Sequence, residues 1–461
     1  MDSKKPEFSS DTIVALITAT LAAFMTPFMG SSINIALPSI GKEFGADAVM
    51  LGWIATAFLL TAAMSLVPLG RVADIKGRKL VFLSGDIIFT AGSLFSALSI
   101  SAEMLILSRA VQGIGAAMIF GTGVAILTSV FPPGQRGKVL GINVAAVYTG
   151  LSLGPFLGGF LTQHLGWRSI FFFNIPIGIL IAILVVWKLK EEWAEAKGES
   201  FDFTGSAIYC AMLVLITLGV SSPHPALIGS GILLLIIFVL WEARIEHPVL
   251  EIRLFRYNVT FAFSNLAALL NYSATFALTF LLSLYLQYIR GLTPQNAGLI
   301  LIFQPFVMAL LSPLAGWLSD KIEPKVVASA GMAVLTAGLF IFSSIEADTP
   351  EMLIIGNLIF LGFGYALFSS PNTNAIMGSV ERKFLGVASA TLSTMRTVGQ
   401  MLSMAMVMLI LSIYVGRAEI IPELYPSLLK SIKTSFLIFS ALCFTGIFAS
   451  LARGKLLEIK I

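Results

Sequence analysis

The sequence predicts an all-α membrane protein of fourteen transmembrane helices, arranged as two six-helix bundles with a helix pair inserted between them. Three observations predict it. The composition is too apolar for a soluble globule, fourteen apolar segments divide the basic residues unequally between two sides, and the two halves of the chain share a repeat.

Of 461 residues, 57% belong to the apolar set and only 12% are charged, against roughly 25% charged in a soluble domain. Mean hydropathy is +0.91. At about 150 residues per domain the length alone would suggest three soluble units, but the chain lacks the polar surface to cover them. A bilayer span takes about 20 apolar residues, and this composition can supply fourteen.

Apolar segments fall at 12–38, 48–70, 80–99, 103–131, 138–162, 168–188, 203–220 and 225–243, then at 258–284, 294–318, 326–345, 351–375, 385–413 and 432–453. The two at 203–243 could instead form one re-entrant hairpin, and the long run 103–131 could hide a break. An even count puts both termini on one side. That side then carries 21 of the 29 basic residues and the other side six, with Arg109 and Arg396 inside spans. One missed helix would invert every later loop, so the bias supports the count. By the positive-inside rule, both termini are expected in the cytoplasm. The first eleven residues are too polar for a signal core, and the apolar run after them is expected to stay as the first span.

Several classes are excluded by what is missing. Cys210 and Cys443 sit in apolar runs without partners at metal-ligand spacing, so neither a disulfide framework nor a metal site is implied. Enzymes embedded in membranes gather His, Asp, Glu or Cys into reactive sets. The spans here offer Asp86, two isolated cysteines and essentially no histidine. The pI near 9.0 does not imply nucleic acid, because the basic residues are scattered through short loops and form no stripe. The expected partners are the lipid bilayer and a small molecule, and the expected state is a monomer.

The repeat is explicit. Gly70-Arg-Val-Ala-Asp74-Ile-Lys-Gly-Arg-Lys79 follows helix 2, and Gly316-Trp-Leu-Ser-Asp320-Lys-Ile-Glu-Pro-Lys325 follows helix 10, with Gly, Asp and Lys at equal offsets 246 residues apart. Gly113 and Gly115 in helix 4 likewise match Gly362 and Gly364 in helix 12, 249 residues on. Six helices need about 190 residues here, so the surplus of about 55 corresponds to the segment 190–245. The expected units are therefore 12–190, an inserted pair at 191–245, and 257–453. Parallel six-helix halves of this kind build a large class of secondary transporters.

With this repeat, the decapeptide at 70–79 and the run Asn34-Ile-Ala-Leu-Pro38 in helix 1, the sequence resembles a major facilitator superfamily transporter of the fourteen-helix drug:proton antiporter type. The likeness covers nearly the whole chain, and the decapeptide is its most specific element. It implies a major facilitator fold in the cell membrane and no cofactor. It also implies proton-coupled export of small amphiphilic or drug-like compounds by alternating access. An organic anion or metabolite carried without proton antiport is the alternative. A channel or structural subunit would not account for a motif present in each half.

The resemblance makes the 70–79 loop a gate latch on the cytoplasmic side. Asp74 can sit against the positive end of a helix from the other half, near Leu385 and Gly386, while Arg71 and Arg78 hold it by charge-assisted hydrogen bonds. Gly70 and Gly77 complete the motif, and Asp320 marks a second copy without the arginine pair. A short basic loop that only sets topology is the plainer reading. In helix 5, Gly150, Gly154 and Gly158 recur every four residues on one face and allow close helix approach. Pro155 bends the helix. With Gly159 this run resembles the antiporter motif, which presses on the opposite half.

Charges inside spans point to a cavity. A charged group there costs at least ~2.5–3.5 kcal/mol on insertion scales and usually faces polar surroundings. Arg109 with Gln112 in helix 4 resembles the family's Arg-x-x-Gln-Gly pattern, and Arg396 lies near the midplane in helix 13. Asp86, in helix 3, is either a proton carrier or a structural acid. Many relatives have an acid in helix 1 where this chain has Met29. The remaining polar cavity candidates are Asn34, Asn265, Asn271, Tyr272, Gln304 and Asn357. Without a counter-charge for a lipophilic cation, the expected cargo is a neutral amphiphile or an organic anion. Helices 7 and 8 carry no internal charge and are expected to face lipid, so replacing them with a short linker should spare some transport.

Overall fold

The computed structural model describes residues 10–222, 224–381 and 384–454. Lys4, Lys5, Arg382, Lys383, Lys455 and Lys460, which contribute to the charge bias, lie outside the described residues. Among the described residues, fourteen helices are long and apolar enough to cross a membrane. They are α1 Ser10–Phe44, α2 Ala48–Lys76, α3 Arg78–Ala97, α4 Ala102–Val130, α5 Pro133–Leu165, α6 Ser169–Lys188, α7 Phe203–Ser221 and α8 Pro225–Glu242, followed by α9 Val259–Ile289, α10 Pro294–Lys321, α11 Pro324–Phe342, α12 Glu351–Gly378, α13 Leu385–Tyr414 and α14 Tyr425–Ala452. The face bearing residues 70–79 is called inner below, following the charge bias.

Local chemistry sets the breaks. Asp47 and Ser101 accept from the backbone N–H groups of Met50 and Met104 and so cap α2 and α4. The 70–79 segment is hardly a loop: α2 runs to Lys76, α3 starts at Arg78, and only Gly77, at φ +128°, breaks the helix. A residue with a Cβ rarely adopts that backbone. The region 203–243 is two full helices, with Asp202 capping the first through the Gly205 N–H. Residues 102–130 form one unbroken helix. Helix α9 is interrupted at Phe276–Ala277, where the Ala277 N–H turns to Ser403 Oγ, and it ends in a π-turn at Tyr285–Ile289.

Helices α1–α6 pack as one bundle and α9–α14 as another, with the same internal pairings. The first bundle joins α1 to α5 and α6, α2 to α4, and α3 to α4 and α6; the second joins α9 to α13 and α14, α10 to α12, and α11 to α12 and α14. The repeated glycines explain part of this likeness. A Cβ on Gly85 would come 3.0 Å from the Gly115 carbonyl, and one on Gly331 would come 2.7 Å from the Gly364 carbonyl. Glycine lets α3 meet α4, and α11 meet α12, backbone to backbone.

The two inserted helices, both expected to face lipid, differ in burial: α8 presents an exposed apolar face, whereas α7 packs between helices. Helix α8 exposes Ile232, Leu233, Ile236 and Leu240 and packs mainly on α7. Helix α7 lies in the groove between α2 and α13: Tyr209 Oη donates to the Ala63 carbonyl, and Thr217 Oγ1 lies 3.1 Å from Met401 Sδ. Tyr209, Met212, Leu213 and Thr217 form one buried stripe at helical spacing. An apolar helix without charges reads alike from sequence whether its neighbours are lipids or other helices.

Candidate functional site

The bundles are joined in their outer halves. Pro38 has no N–H, so the Asn34 carbonyl four residues earlier lacks its helical donor. Ser283 Oγ of α9 donates to that carbonyl at 2.6 Å, and Gln287 Nε2 donates to the Ile35 carbonyl at 3.0 Å and to Ser283 Oγ at 2.9 Å. Closer to the outer rim, His164 pairs with Gln295, and the Gln295 N–H donates to Gln163. Between α5 and α10 the contact is reciprocal. A Cβ on Gly159 would overlap the Pro294 carbonyl, and one on Gly298 would overlap the Pro155 carbonyl. Gly150, Gly154 and Gly158 instead face Phe24, Ser31 and Ser32 of α1 in their own bundle. The helix 5 run therefore divides into a stripe that builds the first bundle and a Pro155–Gly159 edge that meets the second.

At the inner face the bundles diverge. A Cβ on Gly70, Gly137, Gly141 or Gly386 would meet no heavy atom within 4 Å, and Leu385 and Val387 are exposed. In this arrangement Asp74 does not face Leu385 and Gly386, the contact expected of a closed inner face. With the inner ends apart, the 70–79 segment is held by the chain that follows α6. Arg78 donates to Asp74 Oδ1 at 2.8 Å and to Glu195 Oε1 at 2.7 Å. Arg71 pairs with Glu199 rather than Asp74. Glu192 accepts the N–H groups of Lys79 and Leu80 at the N-terminus of α3, where a carboxylate is favoured. Asp320 is exposed and without an ion pair among the described residues.

The structure separates the charges that sequence grouped as cavity candidates. Arg109 is 1% exposed. Its guanidinium pairs with Gln112 Oε1 and the Ile54 carbonyl and lies 4.3 Å from the Phe58 ring centre, while Gln112 Nε2 donates to Ser93 Oγ at 2.7 Å. That arrangement is a closed nest inside the first bundle. Arg396 is half-buried, 5.1 Å over the Tyr272 ring, and its Nε has no partner among the described residues. Eleven residues into α13, it lies roughly 16 Å from the inner helix end. Gly399 makes the juxtaposition possible, since a Cβ there would press on Leu269 and Tyr272 of α9.

The other candidates scatter. Asn357 donates to the Gly338 carbonyl between α11 and α12, and Asn265 donates to Phe261 in its own helix. Asn271 is fully buried with neither amide atom bonded. Asn34 donates weakly to Gly30, and Gln304 is half-buried. Asp86 joins none of them. It is 0% exposed, with both carboxylate oxygens unpartnered among the described residues, and it borders a cleft of about 310 Å³ between α3 and α6 lined by Ile87, Thr90, Leu94 and Ile179.

Sequence reasoning missed Ser283, Gln287, Glu192, Glu195 and Glu199. Two signals were present: a proline inside span 1, which leaves a carbonyl open, and four glutamates within 191–199, complementary in charge to the basic 71–79 run but distant in position.

A sequence profile of the Major Facilitator Superfamily matches residues 19–404, and again 264–456. The riboflavin transporter RibZ of Clostridioides difficile is 33% identical over 386 residues, covering 83% of this chain and 84% of the relative. The cephamycin export protein CmcT of Amycolatopsis lactamdurans is 32% identical over 417 residues, with 87% and 85% covered. The multidrug resistance protein Stp of Mycobacterium tuberculosis is 29% identical over 403 residues, with 85% and 74% covered. Among solved structures, an inward-facing, unoccupied bacterial homolog of the human lysosomal transporter Spinster shares the fold over 98% of each chain, at TM-score 0.72 and 16% identity. By profile, relatives and helix layout, the chain belongs to the Major Facilitator Superfamily, as a multi-pass transporter of the fourteen-helix drug-transporter type and not an enzyme.

Proposed function

We propose that the chain exports small amphiphilic compounds across the cell membrane by alternating access, in exchange for protons, as a monomer with both termini in the cytoplasm. One observation carries this reading. The two bundles are fastened at the outer side by Ser283 on Asn34 and by Gly159 on Pro294, and at the inner side Gly70, Gly137, Gly141 and Gly386 face open space. A pocket closed to one face and open to the other is one of the two states an alternating-access carrier needs. The moving units are 12–190 and 257–453, with 191–245 riding between them. The Pro155–Gly159 edge supports export, as do the names of two relatives, a cephamycin export protein and a multidrug resistance protein.

The preferred cargo is a neutral amphiphile or an organic anion. Met29, at the position where the family resemblance implies an acid, is buried, and no carboxylate stands beside Arg396 among the described residues. Asp86, buried within α3 beside the α3–α6 cleft, is the carboxyl we assign to carry the proton. In proteoliposomes of known orientation, unlabelled substrate should drive counterflow, and an imposed proton gradient should drive uphill export. Flux that never shows counterflow would indicate a pore and end the reading, whereas counterflow without a response to the gradient would remove proton coupling alone.

A further inference from the structure

We propose that Arg396 and Tyr272 form a recognition site for aromatic organic anions, with an oxyanion of the cargo on the guanidinium and its ring against the tyrosine. The inference rests on the transporter reading above and names the cargo class of that pocket.

Three of the arginines within helix bundles, Arg109, Arg453 and Arg396, serve as controls for one another. Arg109 is enclosed by Gln112, the Ile54 carbonyl and Phe58. Arg453, at the inner end of the second bundle, donates to Asn372 Oδ1 at 2.9 Å, to Ser264 Oγ at 3.2 Å and to the Ser450 carbonyl at 2.7 Å. Both have protein acceptors for their donors, as buried cations require. Arg396 differs: among the described residues no acceptor meets its guanidinium, and its Nε is buried without a partner. Yet it stands near mid-bilayer depth, where a cation is normally paired or faces a polar path.

The surroundings favour an anion as the missing partner. The Tyr272 ring lies 5.1 Å below the guanidinium carbon. A guanidinium over a ring is held there by cation–π attraction, and its two terminal Nη groups suit a two-pronged bond to an oxyanion. Asp86 borders the α3–α6 cleft instead, and among the described residues no acid pairs with Arg396. A cationic cargo would meet a like charge with nothing to offset it, while an aromatic anion would satisfy both the guanidinium and the ring.

Fluorescein and rhodamine 6G share a xanthene ring and differ in charge, so they separate ring from charge recognition. Their binding to the purified full-length chain would be measured by fluorescence anisotropy. Wild type should bind fluorescein at least about tenfold more tightly than rhodamine 6G, and Arg396→Gln should lose about tenfold or more in fluorescein affinity without weakening rhodamine 6G. Tyr272→Leu should weaken fluorescein binding while Tyr272→Phe retains it. Arg396→Lys should fall between wild type and Gln, because an ammonium cannot supply the planar fork. If Arg396→Gln fails to fold by gel filtration, the Lys and Tyr272 variants decide. Equal or tighter binding of rhodamine 6G, or fluorescein affinity indifferent to these changes, would overturn the proposal. A chain that counterflows a neutral compound without this charge preference loses only this inference. A chain that binds fluorescein through Arg396 but moves nothing loses the transport reading instead.

Discussion

Ser283 reaches across from the second bundle to hydrogen-bond the Asn34 carbonyl, the acceptor that Pro38 leaves without a donor in its own helix. A proline that would weaken an isolated helix thereby becomes a docking point. The bond exists only while the outer halves are together. Removing it should therefore shift the conformational balance more than it affects folding.

Ser283→Ala should raise the outward-open population several-fold, because one such hydrogen bond contributes about 1 kcal/mol. Spin labels at Gln163 and Gln295, which face each other at the outer rim, would report it as a longer distance in pulsed electron resonance, in a background with Cys210 and Cys443 replaced. An unchanged distance distribution would remove Ser283 from the gate.

Gly159→Val and Gly158→Val should fail in different ways, although the glycines are neighbours. Gly159 meets Pro294 of the opposite bundle and Gly158 meets Ser32 of its own. The first variant should fold with near-normal thermal stability and lose transport, since outer closure is blocked. The second should lose stability by about 1–3 kcal/mol through overpacking inside the bundle. Matching melting temperatures for the two would contradict this division of the helix 5 run.

At the inner face, Arg78 is largely buried between Asp74 and Glu195, while the Glu195 side chain is mostly exposed. Glu195→Gln should cost well under about 1 kcal/mol and matter less as salt rises. Arg78→Ala, which strips Asp74 of its partner and opens a gap against Ser129, should cost about 2 kcal/mol or more. Thermal unfolding in low and high salt would compare them.

Asp86→Asn should leave counterflow intact and abolish gradient-driven export if this carboxyl carries the coupling proton. Vesicle transport with and without an imposed gradient tests it. Full uphill export by the Asn variant would leave Asp86 a structural role between α3 and α6.

Tyr209→Phe should cost about 1 kcal/mol in thermal stability, the loss of its bond to Ala63. Exchanges among apolar residues at the exposed Ile232, Leu233 and Ile236 of α8 should cost almost nothing. Replacing both inserted helices by a linker would uncover the α2–α13 groove, so the deletion should be less stable than the expectation of a lipid-facing pair implied.

Helix number, helix order, the repeat and the near absence of acids in the spans were all legible along the chain, because hydropathy, charge and spacing are properties of consecutive residues. The glycines at 85, 115, 331 and 364 even kept their roles from one half to the other. What each helix face meets was decided only by tertiary packing. Gly158 and Gly159 point to different bundles because a helix turns about 100° per residue. Arg109 and Arg396 read alike in sequence, yet one is enclosed by Gln112 and Phe58 while the other keeps its donors open above Tyr272. The 191–199 glutamates and the 71–78 arginines lie over a hundred residues apart, and only the fold brings them together. The physical reason is that burial and charge pairing depend on neighbours distant in the chain, and local periodicity says that a face is apolar or polar without saying what covers it.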